Sequence, residues 1–184
     1  MISLILSLWW KLSGWKISGT FPANVPKMVI AVAPHTSAWD IVVGMAVRKV
    51  VPIKEAYYLG KKELFDGPFG WFFRATGGTP VDRFASNGAV QQVVEKFNQH
   101  EVFRLAMSPE GTRKKVDKLR TGFYHIAREA NVPILLTGFD FKKKEVIFSD
   151  LIYPSNESDD FKKIIAFFAT VEGKIPEQGM KHLA

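Results

Sequence analysis

His35 and Asp40 stand five positions apart in His-Thr-Ser-Ala-Trp-Asp, directly after the apolar run Met-Val-Ile-Ala-Val-Ala-Pro at 28–34. An imidazole beside a carboxylate can take a proton from a hydroxyl at neutral pH, because the carboxylate fixes the ring tautomer and stabilises the imidazolium that forms. On one continuous helix, residues five apart point about 140° away from each other, so the pair can cooperate only where the chain bends between them. Ser37 and Asp40 form Ser-x-x-Asp, close to a capping box, which predicts a helix starting at about Ala38 and leaves His35 in the loop before it. Read alone, the same residues also fit an exposed histidine followed by an ordinary first-turn carboxylate.

Three later segments each place a cation beside glycine or a turn: Gly-Lys-Lys-Glu-Leu-Phe with Lys61, Gly-Gly-Thr-Pro-Val-Asp-Arg ending at Arg83, and Ser-Pro-Glu-Gly-Thr-Arg ending at Arg113. Glycine lets backbone N–H groups come close to a phosphate, and arginine supplies a planar fork that grips two of its oxygens. Two arginines from separate turns point to an anion site. His100, His125 and His182 fit a helix end, a helix face and the tail, and no Gly-x-Ser-x-Gly elbow of a serine hydrolase occurs.

The elements that must position these residues alternate between strand and helix. Residues 28–34 read as a buried strand, 37–47 as a helix, 56–60 as a short strand, and 71–76 as a helix stopped by Gly77 and Gly78. Val90, Val93, Val94 and Phe97 fall at helical spacing within 86–99, with Ser86 or Asn87 as the cap. A strand at 101–108, a helix at 122–130, a strand at 132–139, a strand at 146–153 and a helix carrying Phe161, Ile164, Ile165 and Phe168 complete the pattern. Such alternation predicts an α/β fold: a single-domain sandwich with a mainly parallel central sheet flanked by helices, its active residues gathered at the carboxyl ends of the strands.

A chain of 184 residues fits one domain. With no cysteine, disulfides and thiolate metal sites are excluded, and the default compartment is the cytoplasm or its membrane surface. Twenty-five Lys and Arg against 18 Asp and Glu give +7, which suits phosphorylated metabolites, phospholipid headgroups or nucleic acid. Nucleic acid is disfavoured as a partner, since the aromatics sit in apolar runs and do not alternate with Lys and Arg on a stacking face.

Residues 1–20 form an apolar and aromatic N-terminal segment whose uncharged run before Lys11 is about 14 Å long as a helix, too short for roughly 30 Å of hydrocarbon. Trp9, Trp10 and Trp15, interleaved with Lys11 and Lys16, suit the headgroup region of a membrane surface, and a helix packed on the protein's own core fits equally. The main domain is expected over 21–172. The tail 173–184 has little to bury and is expected to fray.

Taken in order, these segments resemble the glycerolipid acyltransferases that include lysophosphatidic acid acyltransferase. Their histidine-x4-aspartate is matched by His35 and Asp40, and their lysine-x-glutamate-leucine segment looks like Lys61 to Leu64. Their block ending in arginine is similar to Gly78 through Arg83. Their proline-glutamate-glycine-threonine-arginine is matched by Pro109, Glu110, Gly111, Thr112 and Arg113, and their valine-proline by Val132 and Pro133. Departures at Pro80, Ser108 and Leu135 to Thr137 bear on the acceptor side more than on His35 and Asp40.

The resemblance implies transfer of a fatty acyl group from coenzyme A or an acyl carrier protein thioester to a hydroxyl of a glycerolipid-like acceptor such as 1-acylglycerol 3-phosphate, on the cytoplasmic face of a membrane. The thioester is a co-substrate, and no metal or other cofactor is implied. His35 would be the general base and Asp40 its partner. Lys61, Arg83 and Arg113 would hold phosphate, with Glu110 ordering the arginines or meeting an acceptor hydroxyl, and Gly111 and Thr112 lining the site. Two other readings stay open: a non-catalytic basic module on anionic lipid, and a thioesterase using water.

Overall fold

The unbroken apolar run at 28–34 has the pattern of a strand covered on both faces. In the computed structural model, which describes residues 2–51, 53, 55–81 and 88–184, that run lies inside a seven-stranded sheet. The elements are α1 (Ile2–Ser13), β1 (Lys16–Ser18), β2 (Lys27–Ala33), α2 (Trp39–Val50), β3 (Ala56–Lys61), α3 (Lys62–Asp66), α4 (Gly70–Ala75), β4 (Gly78–Val81), α5 (Ala89–Gln99), β5 (Phe103–Met107), α6 (Gly122–Glu129), β6 (Ile134–Asp140), β7 (Glu145–Ile152) and α7 (Glu157–Ala169). Two short 3-10 turns follow at Pro176–Gln178 and Lys181–Leu183.

The sheet order is β1-β7-β6-β2-β5-β3-β4, and every neighbouring pair is parallel except β6 with β7. The expected mainly parallel α/β architecture is therefore the one that forms. The exception has a local cause: only Phe141 to Lys144 separate β6 from β7, enough for a hairpin and far too few for a crossover. Asp140 Oδ1 accepts the Lys143 N–H at 2.8 Å and Lys144 has φ of 53°, which closes that turn. The three-residue β1, which the sequence pattern does not announce, pairs with β7.

Alternate residues of β2 feed two cores, as the two-residue repeat of a strand requires. Val29, Ala31 and Ala33 face α5, α6 and α7, where Val93, Phe97, Phe123, Ile126, Ile164 and Phe168 are buried. Met28 and Ile30 face α1 and α2, where Trp10, Val43, Ala46 and Val47 are buried. Each wholly buried aromatic or aliphatic side chain of this kind contributes roughly 1.5–3 kcal/mol. The caps proposed for α5, Ser86 and Asn87, lie outside the described residues.

The N-terminal helix α1 divides its apolar residues between two faces. Trp10 is buried against the second core, as is Trp15 just beyond the helix, whereas Ile5, Leu8 and Leu12 are 59%, 55% and 78% exposed. No helix among the described residues is long and apolar enough to cross a membrane. The tail departs from expectation. Met180 is 1% exposed within the first core, Leu183 packs against it, and His182 Nε2 lies 2.8 Å from the Val116 carbonyl oxygen. One buried methionine and the close approach allowed by Gly173 give this segment an anchorage that its polar composition conceals.

Candidate active site

The strands β2, β5, β3 and β4 are consecutive parallel neighbours, so their carboxyl ends open on one edge of the sheet. His35 follows β2, Ser108 to Arg113 follow β5, Lys61 ends β3, and Val81 ends β4. The four sequence segments thus leave four adjacent strands. The Lys61 side chain and the whole of Arg83 lie outside the described residues.

The bend required between His35 and Asp40 is present. Ser37 Oγ accepts the Trp39 N–H at 3.3 Å, and Asp40 Oδ2 accepts the Ser37 N–H at 2.9 Å, so Asp40 closes the first turn of α2 as in a capping box. The same Oδ2 lies 2.9 Å from His35 Nδ1. Because His35 precedes the helix, the angular separation of a continuous helix does not apply. The two readings of Asp40, cap and imidazole partner, are one arrangement. An Nδ1–H donated to this carboxylate leaves Nε2 as the acceptor nitrogen. The imidazole is 26% exposed while the Asp40 side chain is 3% exposed, so the ring is reachable and its partner is shielded.

Glu110 holds His35 by its backbone. Its Oε2 accepts the backbone N–H of His35 at 2.7 Å and the Ser108 hydroxyl at 3.0 Å. Among the described residues Glu110 forms no ion pair with Arg113, and its buried carboxylate ties the loop after β5 to the loop after β2; Arg83, the other arginine it is expected to order, lies outside the described residues. Burial raises its carboxyl above the ordinary range, with the His35 N–H and the Ser108 hydroxyl partly offsetting the rise. Asp40 Oδ1 and Glu110 Oε1 are both buried and have no hydrogen-bond partner among the described residues. Nothing in Pro-Glu-Gly-Thr-Arg alone signals this bond, since its partner is 75 residues away.

Gly111 has φ of +63°, a conformation that favours glycine, and an added Cβ would meet Arg120 Nε at 2.6 Å. Arg120, which the sequence pattern does not single out, therefore lies against this turn and donates its backbone N–H to the Pro109 carbonyl oxygen at 2.8 Å. Arg113 is exposed, and Thr112 Oγ1 accepts the Lys114 N–H at 3.3 Å. The N–H of Gly111 is engaged by the Ser108 carbonyl at 3.2 Å. An apolar groove of about 540 Å³ lined by Leu119, Phe161, Ile165 and Leu183 contains none of these residues, so the site is marked by its chemistry and not by depth.

An imidazole–carboxylate pair at the carboxyl edge of a parallel sheet, with a cation-bearing turn on the neighbouring strand, is an arrangement that can take up a proton beside a bound anion. The Acyltransferase family model matches residues 16–137, and the chain belongs to that family. Over 143 residues it is 32% identical to the 1-acyl-sn-glycerol-3-phosphate acyltransferase of Streptococcus pneumoniae (strain ATCC BAA-255 / R6), covering 73% of this chain and 52% of that one. The chain thus spans about half the length of the curated relative it matches. Its fold is similar to that of the 1-acyl-sn-glycerophosphate (LPA) acyltransferase PlsC from Thermotoga maritima, with a TM-score of 0.58 at 19% identity over 99% of this chain and 79% of the other.

Proposed function

We propose that the protein transfers a fatty acyl group from an acyl thioester, carried by coenzyme A or an acyl carrier protein, to a hydroxyl of a lysophospholipid such as 1-acylglycerol 3-phosphate. The observation that carries this reading is the 2.9 Å contact between His35 Nδ1 and the shielded Asp40 carboxylate, beside the Pro-Glu-Gly-Thr-Arg turn. An alcohol is a poor nucleophile at neutral pH. His35 Nε2 takes its proton as the oxygen attacks the thioester carbonyl, and Asp40 stabilises the resulting imidazolium. Collapse of the tetrahedral intermediate breaks the C–S bond, and the imidazolium returns its proton to the departing thiolate. Because the Gly111 N–H is occupied, the neighbouring Thr112 N–H is the better donor for the oxyanion. Arg113, with Arg83 and Lys61, grips the acceptor phosphate.

The same reading puts the protein on the membrane surface as a monotopic enzyme, since a lysophospholipid acceptor arrives from a bilayer. Ile5, Leu8 and Leu12 on α1 and Trp39 and Ile41 on α2 are exposed apolar side chains on two helices that touch one another. Such residues suit the headgroup boundary of the cytoplasmic leaflet.

The deciding experiment follows thiol release from acyl-coenzyme A with 1-acylglycerol 3-phosphate and identifies the lipid product. His35→Ala and Asp40→Asn are expected to lower kcat by roughly 10²–10⁴-fold while the melting temperature is retained. Full activity in His35→Ala overturns the assignment of the base. Free fatty acid in place of an acylated lipid would make the protein a thioesterase, and strongly salt-dependent lipid binding without turnover would make it a binding module.

A further inference from the structure

The residues after α7 run back to the edge of the sheet that carries His35, and they touch both candidate site loops. Gly173 is buried against the residues flanking His35: a Cβ there would lie 2.8 Å from Thr36 Oγ1 and 3.3 Å from Pro34 Cβ. Thr36, 2% exposed, accepts the Ile175 N–H on its hydroxyl at 3.2 Å. With its amide turned so that the NH2 meets acceptors, Gln178 donates to the Thr36 carbonyl oxygen at 3.3 Å and to the Arg113 carbonyl oxygen. Beyond it, Met180 is buried in the core and His182 Nε2 lies 2.8 Å from the Val116 carbonyl oxygen. One side chain therefore bonds the residue next to the base and the residue that bears the phosphate-gripping guanidinium. All of these contacts come from residues beyond the 16–137 matched by the family.

We propose that residues 172–182 form a strap that sets the separation between the loop of His35 and the loop of Arg113, with Gln178 as its positioning residue. The inference rests on the acyl-transfer reading above. Glu110, on the loop after β5, bonds the backbone of His35. Gln178 bonds the next residue and the far end of that same loop, so the two side chains close a frame around the site. The frame matters because base and phosphate grip must act on a single acceptor molecule, and displacement of a reacting group by about 1 Å costs as much as 10²-fold in rate.

The test uses the full chain with three substitutions. Gln178→Met keeps the length and removes the donors, Gln178→Glu turns a carboxylate toward two carbonyl oxygens, and Gly173→Ala pushes on Thr36 from the other side. Glu177→Gln, exposed and next in the chain, serves as the control. Acyl transfer from acyl-coenzyme A to 1-acylglycerol 3-phosphate is expected to lose kcat by about 10-fold in Gln178→Met and more in Gln178→Glu, with KM for acyl-coenzyme A and the melting temperature nearly unchanged. Hydrogen exchange of peptides covering 34–40 and 108–116 is expected to quicken in the same variants and not in the control.

Unchanged kcat in all three variants, in a protein that His35→Ala inactivates, overturns the strap and leaves the proposed activity standing. Absence of acyl transfer in the wild type overturns the activity instead. The exchange measurement then decides the strap by itself: equal exchange in wild type and Gln178 variants rejects it. Loss of activity that tracks a fall in melting temperature also rejects a positioning role in favour of a folding one.

Discussion

The Glu110 carboxylate accepts the backbone N–H of His35 at 2.7 Å across 75 residues of chain. Two buried carboxylates thus flank one histidine: Asp40 holds its ring and Glu110 holds its backbone. Burial raises the Glu110 carboxyl above its ordinary 4.5. Between that value and the folded one, the native state keeps a proton that the unfolded chain has released, so stability falls as pH rises through the interval. Melting temperatures across this interval are expected to decline in the wild type, and Glu110→Gln is expected to remove that decline. Identical slopes in the two proteins would show that burial does not raise this carboxyl.

Arg113 is exposed at the end of the Pro-Glu-Gly-Thr-Arg turn, where a charge-assisted contact to phosphate is worth about 1.5–3 kcal/mol. Arg113→Ala is expected to lower kcat/KM for 1-acylglycerol 3-phosphate by roughly 10- to 150-fold and to leave an unphosphorylated monoacylglycerol much less affected. Arg83→Ala should act in the same direction. A parallel loss with both acceptors would place the guanidinium on the donor thioester.

Tyr124 of α6 donates its hydroxyl to Asp160 Oδ2 of α7 at 2.9 Å, and the same oxygen accepts the Ser155 N–H at 2.9 Å. Burial first, and then the Asp160 bond and charge, push the phenol up to about 12. Tyr124→Phe is expected to cost about 1–3 kcal/mol, read by urea unfolding, because it strips a donor from a buried carboxylate. In the wild type the phenol stays protonated when the unfolded chain has lost its proton, so stability should fall from pH 10 toward about 12, and that extra fall should be missing in the variant.

Leu8 and Leu12 are exposed on α1, while Trp10 between them is buried. Replacing both leucines by aspartate is expected to leave the melting temperature nearly unchanged and to reduce co-sedimentation with anionic phospholipid vesicles by roughly 10-fold or more per residue. Undiminished vesicle binding would move the docking surface elsewhere, with the exposed Phe69 and Trp71 as the next place to substitute.

Much of this architecture is legible in the chain because periodicity reports burial. The apolar run at 28–34 becomes β2, Val93, Val94 and Phe97 become the buried side of α5, and Ile164 and Phe168 that of α7. His35 and Asp40 are legible as a pair because a local capping pattern implies the bend that joins them. Three features are not legible, each for a physical reason. The strand β1 is three residues long, too short for a two-residue repeat to register. Glu110 bonds a backbone group far along the chain, which no local spacing encodes. The final segment is polar in composition, and its anchorage depends on Met180, on one glycine fitted against Thr36, and on the amide of Gln178.

The sheet order separates two sets of side chains that a single loop could otherwise carry. The imidazole and its carboxylate belong to one stretch of chain after the central β2, whereas the remaining segments leave β5, β3 and β4, strands that lie progressively nearer the rim. On the proposed acyl-transfer reading, substitutions toward the rim are therefore expected to retune which headgroup is accepted while leaving untouched the base that takes the proton of the acceptor hydroxyl.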